Sequence, residues 1–108
     1  MIDKSKIDEF VTRVTQMPLT SDTEVSLVYH CVTEIGVPVS FPVSVTPLIS
    51  AKGLPHDVLS GVVEQAYRQT IIQNIVSLLG SVPDGFMMIK DAPVQVPLKL
   101  MDVKLKVA

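Results

Sequence analysis

Tryptophan is absent from this 108-residue chain, cysteine occurs once, histidine and arginine twice each, and aromatic residues make up only 5%. Each shortage excludes a class of protein. The single thiol, Cys31, cannot close an internal disulfide and has no second cysteine with which to build a thiolate zinc site or a redox pair. Two histidines without an acidic cluster offer no spacing suited to a metal centre. With so few aromatics and arginines there is neither a base-stacking platform nor a set of phosphate clamps, and a net charge of −2 supplies no overall pull toward nucleic acid. The expectation is no cofactor, no metal and no nucleic-acid partner.

Long apolar runs are lacking too. A membrane-spanning helix needs ~20 consecutive apolar residues, and the best stretch, 58–79, is interrupted by Glu64, Gln65, Arg68, Gln69, Gln73 and Asn74. The first residues, MIDKSKIDEF, carry no apolar core of a secretory signal, so cytoplasmic synthesis without a membrane partner is expected. Neither GxGxxG, GxxxxGK[ST] nor GxSxG occurs, and AKGLP at 51–55 lacks the flanking glycine of a phosphate cradle. The eleven carboxylates are scattered singly or at helix ends, which provides no acid–base pair. His30 and Cys31 are neighbours on a β-branched stretch, and adjacent strand residues point to opposite faces, so they form no dyad. His56 beside Asp57 could approach Cys31 in a fold, although no spacing requires it. No residue is assigned a catalytic role, and the chain is expected not to be an enzyme.

What the sequence has in abundance is apolar side chain: 47% of residues, with a mean hydropathy of +0.42 and only 19% charged. A chain of this length supports a single domain, 1–108, whose small size leaves a large relative surface. Some of its apolar residues are therefore expected to stay exposed, which marks a contact with another chain or, less often, a membrane. Residues 90–108 hold four lysines against two aspartates, net +2, while the remainder carries −4, a polarity that reads as ordinary solvated surface charge or as a means to orient one subunit against the next.

Ile7, Phe10, Val11, Val14 and Met17 recur at helical spacing, which predicts an amphipathic helix over 4–17 ended by Pro18, with Ser5–Asp8 and Asp3 as rival caps. EVSLVYHCVT is apolar on both of its alternating faces and reads as a central strand. In IGVPVSFPVSVTPL, Ile35, Val37, Val39, Phe41, Val43 and Val45 alternate with glycine, proline and hydroxyl residues, a second strand. Pro38 and Pro42 delete amide donors from the same side of it, which predicts an edge strand or an extended arm. Residues 56–79 predict the longest helix, entered after Pro55 and closed by Gly80, with a broad apolar stripe that includes Leu59, Val62, Val63, Ala66, Tyr67, Ile71, Ile75, Val76 and Leu79. SVPDGF supplies a turn, FMMIK a short strand, and the end of the chain a last strand from Pro93. In that strand Val94, Val96, Leu98 and Leu100 share one phase and Met101, Val103, Leu105 and Val107 the other. A β-bulge near Leu100 and Met101 reconciles them.

PVSFPVSV at 38–45 and PVQVPLKL at 93–100 share one proline–apolar–polar–apolar template, so the chain can be divided into two αββ halves, 1–50 and 51–108, with chance similarity between strands as the alternative. The fold class expected is α+β in the order αββαββ, with the long helix on an antiparallel sheet and proline-marked edges. The corresponding function is a non-enzymatic structural subunit, a homo-oligomer that self-associates through edge strands, such as a small virus or phage virion protein. The expected contact residues are Val39, Phe41, Val43, Val45, Val94, Val96, Leu98 and Met101. The alternatives are a small binding or inhibitor protein that docks a heterologous protein through the same strands, and an enzyme or ligand-binding domain with a deep pocket around His30, Cys31 or His56.

Overall fold

The computed structural model describes residues 2–19, 23–46 and 62–108, and for Val62 and Val63 the backbone alone. The elements run α1 (Lys4–Gln16), β1 (Val25–Thr33), β2 (Pro38–Ser44), α2 (Val62–Gly80) and β3 (Leu98–Val107). The three strands form one antiparallel sheet in the order β2-β1-β3. This is a small α+β domain, and β1 is its central strand.

Asp3, not Ser5, caps α1: its carboxylate accepts the Ser5 N–H at 3.1 Å while its own backbone stays extended. Phe10 and Val14 are buried on the inner side of the helix, with Ile7 and Met17 half-buried against the core. In α2 the fully inward residues are Tyr67, Ile71, Ile75 and Leu79, a row at four-residue spacing. That row is narrower than the sequence stripe, because Ala66 and Val76 face out. The expected helix start at 56, with Pro55, Leu59 and Gly61, lies outside the described residues. Arg68, one of the polar residues that interrupt the apolar run, is half-buried and serves α1. Its guanidinium donates to the carbonyls of Val14, of Thr15 at 3.3 Å and of Met17 at 2.7 Å, and to Glu64 at 2.7 Å. A positive group thereby satisfies carbonyls that the end of α1 leaves without helical partners.

Val25, Leu27, Tyr29 and Cys31 turn one face of β1 into the core that both helices share. The other face is half-buried. The tie between α2 and the sheet is polar as well: the Asn74 amide donates to the Val45 carbonyl at 2.9 Å and the Tyr67 hydroxyl to the Thr23 carbonyl at 3.3 Å. Tyr29 and Phe41 lie directly across from each other on β1 and β2, with rings 5.6 Å apart and tilted by 56°.

The second strand begins later than its alternation suggests. Thr33 to Gly36 form a tight turn in which the Gly36 N–H donates to the Thr33 carbonyl at 3.0 Å and Gly36 adopts φ +85°. A type I turn followed by a left-handed glycine is a regular three-residue hairpin link, so Ile35 stands at the turn and not in β2. The amides of Thr33 and Val45 point across the β1–β2 ladder to Val37 and Val25, and alternation then turns the backbone nitrogens of Pro38 and Pro42 outward. β2 is an edge strand, as its prolines require.

The order αββαββ is not reached. Between α2 and β3 only Met87 pairs with the sheet, through an isolated antiparallel bridge to Leu98, where an FMMIK strand was expected. β3 starts at Leu98 and not at Pro93, so the second copy of the proline template straddles a bent segment and a strand. Pro93 and Pro97 each remove a donor, and the remaining alternation is too short to form a ladder.

The bulge does occur. Cys31 pairs with Leu100 and His30 with Asp102, which leaves Met101 without a pairing position. The extra residue keeps both Leu98 and Leu100 before it and Val103 and Leu105 after it in the core. Deleting Met101 would leave LKLDVKLKV, an unbroken alternation, so that variant is expected to fold with a loss of less than about 1 kcal/mol. Deleting Lys104 turns Leu105 outward and is expected to cost at least about 2 kcal/mol, the scale of losing a buried leucine. Urea denaturation of the two variants checks both outcomes.

Candidate binding surface

Of the eight residues the sequence marks for contact, Phe41, Val43, Val45 and Leu98 belong to the core. Their alternation is that of an inward face. Val39, half-buried, and the exposed Val94, Val96 and Met101 reach the surface. Three of these four meet: Val39, Val94 and Val96 line one open trough of about 420 Å³ together with Thr33, Glu34, Ile35, Val37 and Pro97.

The trough is built by two segments far apart in sequence. The β1–β2 turn holds Ile35 and Val37 away from the core, and the bent run 93–97 lies beside it because Leu98 pairs with Thr33 at the end of β1. Ile35 is 87% exposed, Val37 47%, Val94 37% and Val96 42%. Phe86 and Met88 are exposed on either side of Met87, which is bonded to that same Leu98. Six of the nine exposed large apolar residues among the described ones therefore gather where the hairpin turn, the start of β3 and the 86–97 connection converge. Glu34 is the one charged group of the trough lining. The surface suits apolar contact rather than recognition of an ion.

The titratable groups lie elsewhere. Cys31 is 4% exposed, and burial pushes its thiol pKa up, which keeps it protonated at neutral pH. His30 points to the opposite face of β1, where the register aligns it with Ser40 on β2 and Asp102 on β3. His30 Nδ1 lies 2.8 Å from the Ser40 hydroxyl, but its buried Nε2 has no hydrogen-bond partner. The Asp102 carboxylate is hydrogen-bonded by Lys6 and by the Val103 N–H, which hold its pKa below the usual carboxylate value. A serine, a histidine and an aspartate thus stand in one row without a carboxylate on the imidazole to orient it, and no relay is assembled. Sequence reading missed the row because its members come from three strands, and only the register aligns them. His56 lies outside the described residues. Among the described residues no group of three acidic, histidine or cysteine side chains could hold a metal ion, and no helix is long and apolar enough to cross a membrane.

Comparison with family models, with curated proteins and with solved structures finds no match to this chain.

Two measurements test these assignments. A thiol reagent at neutral pH is expected to leave Cys31 unmodified in the native protein and to label it on unfolding, read by mass spectrometry. Asp102→Asn removes an ion pair that is partly exposed and screened, so the expected loss at pH 7 is under about 1 kcal/mol. Because folding depresses the Asp102 pKa, that contribution is present above the unfolded value of about 3.9 and fades as pH falls through the folded one. The difference in stability between the two proteins should therefore shrink steadily in denaturation series carried to pH values below about 3.9.

Proposed function

We propose that this chain is a non-enzymatic assembly subunit that associates with further copies of itself through the apolar end of the molecule. The observation that carries the reading is the convergence of Ile35, Val37, Val39, Val94, Val96 and Pro97 on one trough. Ile35 stands at a hairpin tip, 87% exposed, where burial in a partner would remove an apolar group from water at no cost in core packing. A trough that is concave beside a projecting turn can receive the same turn from a second copy, which is how a two-fold contact satisfies itself.

The contact belongs at this end and not along the outer edge of β2 for a physical reason. The outer edge of β2 lacks the amide donors of Pro38 and Pro42. An edge so blunted resists pairing with another strand. The two proline-marked segments of the sequence thus contribute apolar side chains to a surface instead of backbone to a shared sheet.

The test is the mass of the untagged protein in a concentration series by light scattering, for the native chain and for Ile35→Glu. A concentration-dependent oligomer that the substitution weakens by at least tenfold, with an unfolding midpoint within a few degrees of native, is the expected result. Exposed positions alter stability by about 0.5 kcal/mol or less, so a lost oligomer would not reflect a lost fold. A native chain that stays monomeric throughout would sink self-association and transfer the trough to the alternative reading, a binding or inhibitor protein that takes an apolar segment of a heterologous partner.

A further inference from the structure

We infer that the outer edge of β3, over residues 103–107, takes an extended acidic segment of a partner protein by antiparallel strand addition. The two edges of the sheet are not equivalent. β2 presents prolines at two of its outward backbone positions, whereas β3 is a ten-residue strand that contains none. Ala108 and Glu24 exchange both backbone hydrogen bonds, at 2.9 and 3.1 Å, so the amide of Ala108 faces β1. Alternation then turns the amides and carbonyls of Val107, Leu105 and Val103 outward. At the start of the strand the same edge is already used in this way. Met87 and Leu98 exchange backbone hydrogen bonds of 2.9 and 2.8 Å in an antiparallel bridge, and no strand among the described residues continues that row beyond Leu98.

The charge beside this edge sets the chemistry of the partner. Lys104 and Lys106 are exposed on the outer face, two residues apart, and neither has an ion-pair partner among the described residues. The β1 residues directly opposite them are Val28 and Ser26, and the acid next along that face, Glu24, stands across from Ala108 and not from either lysine. Asp102 is neutralised by Lys6, and its carboxylate takes the Val103 N–H, so the free donors of the stretch are those of Leu105 and Val107. Lys99 lies near Asp84, whose carboxylate feels its charge, and is outside the stretch. A second copy of β3 is disfavoured here, since antiparallel self-pairing centred on Leu105 sets Lys104 opposite the copy's Lys106. A strand with acids at alternate positions meets both lysines on one face. This surface is separate from the apolar trough and does not depend on self-association.

The register makes the inference testable with a defined probe, a capped eight-residue peptide of alternating threonine and glutamate. Opposite residues of an antiparallel pair share a face, so glutamates across from Lys104 and Lys106 place the threonine amides against Leu105 and Val107. In an NMR titration of the native protein, the peptide should shift the Leu105 and Val107 amides and slow their hydrogen exchange. N-methylation of its threonines should abolish binding, N-methylation of its glutamates should leave it, and a threonine–lysine peptide should not bind. The double variant Lys104→Glu/Lys106→Glu, with its fold checked by its denaturation midpoint, should bind at least tenfold more weakly. No binding, any other pattern of response to N-methylation, or competition by a single-stranded oligonucleotide through the same lysines would overturn the inference.

Discussion

The alternation of β1, which turns Val25, Leu27, Tyr29 and Cys31 toward the helices, is the constraint to which every other element conforms. A central strand is paired on both sides, so its phase decides which residues of both neighbours are buried. On β2 it buries Phe41 and Val43 and turns Pro42 and Ser44 out. On β3 it meets a sequence that changes phase midway. The strand has to absorb one residue, and Met101, 61% exposed, is that residue. Without the bulge, Val103 and Leu105 would face water and the helices would lose the far half of their platform.

The two helices are held to that platform by an apolar row and by a small number of polar ties at element ends. Tyr67, Ile71, Ile75 and Leu79 form a buried row at four-residue spacing, flanked by the half-buried Ile72 and Leu78, which suits a helix set over a sheet beside another helix. Arg68 and Asn74 then fix its position, one on the terminal carbonyls of α1 and the other on the carbonyl of Val45, where β2 ends. Each answers a backbone group that would otherwise be left without a protein partner. Burial of the apolar faces favours association of the layers, and these bonds restrict how they can slide.

The same geometry separates three kinds of surface. The outer face of the sheet gathers the Ser40, His30, Asp102 and Lys6 row, whose hydrogen bonds are directed within the molecule. The hairpin turn and the 93–97 run present apolar side chains with little charge. The two edges differ in backbone chemistry, one closed by proline and the other open beside lysines. A small domain with a large relative surface has room for such division, because few of its residues are needed for more than one role.

Local rules in the sequence determined the α+β class, the amphipathic α1, the central position of β1, the edge position of β2 and the bulge at Met101. Each rests on periodicity or on the missing amide of proline, and both act over a few residues. Tertiary structure alone decided the rest. Alternation marked Val39, Phe41, Val43 and Val45 as equivalent, yet three are buried in the core and one, half-buried, lines the trough. Val94 and Val96 looked like strand residues until pairing showed that the ladder begins at Leu98. The alignment of His30 with Ser40 and Asp102, and of the 33–39 turn with the 94–97 run, joins residues 10 to about 70 positions apart. Such alignments are set by strand register and chain reversal, which depend on the whole core and are not encoded in any one segment.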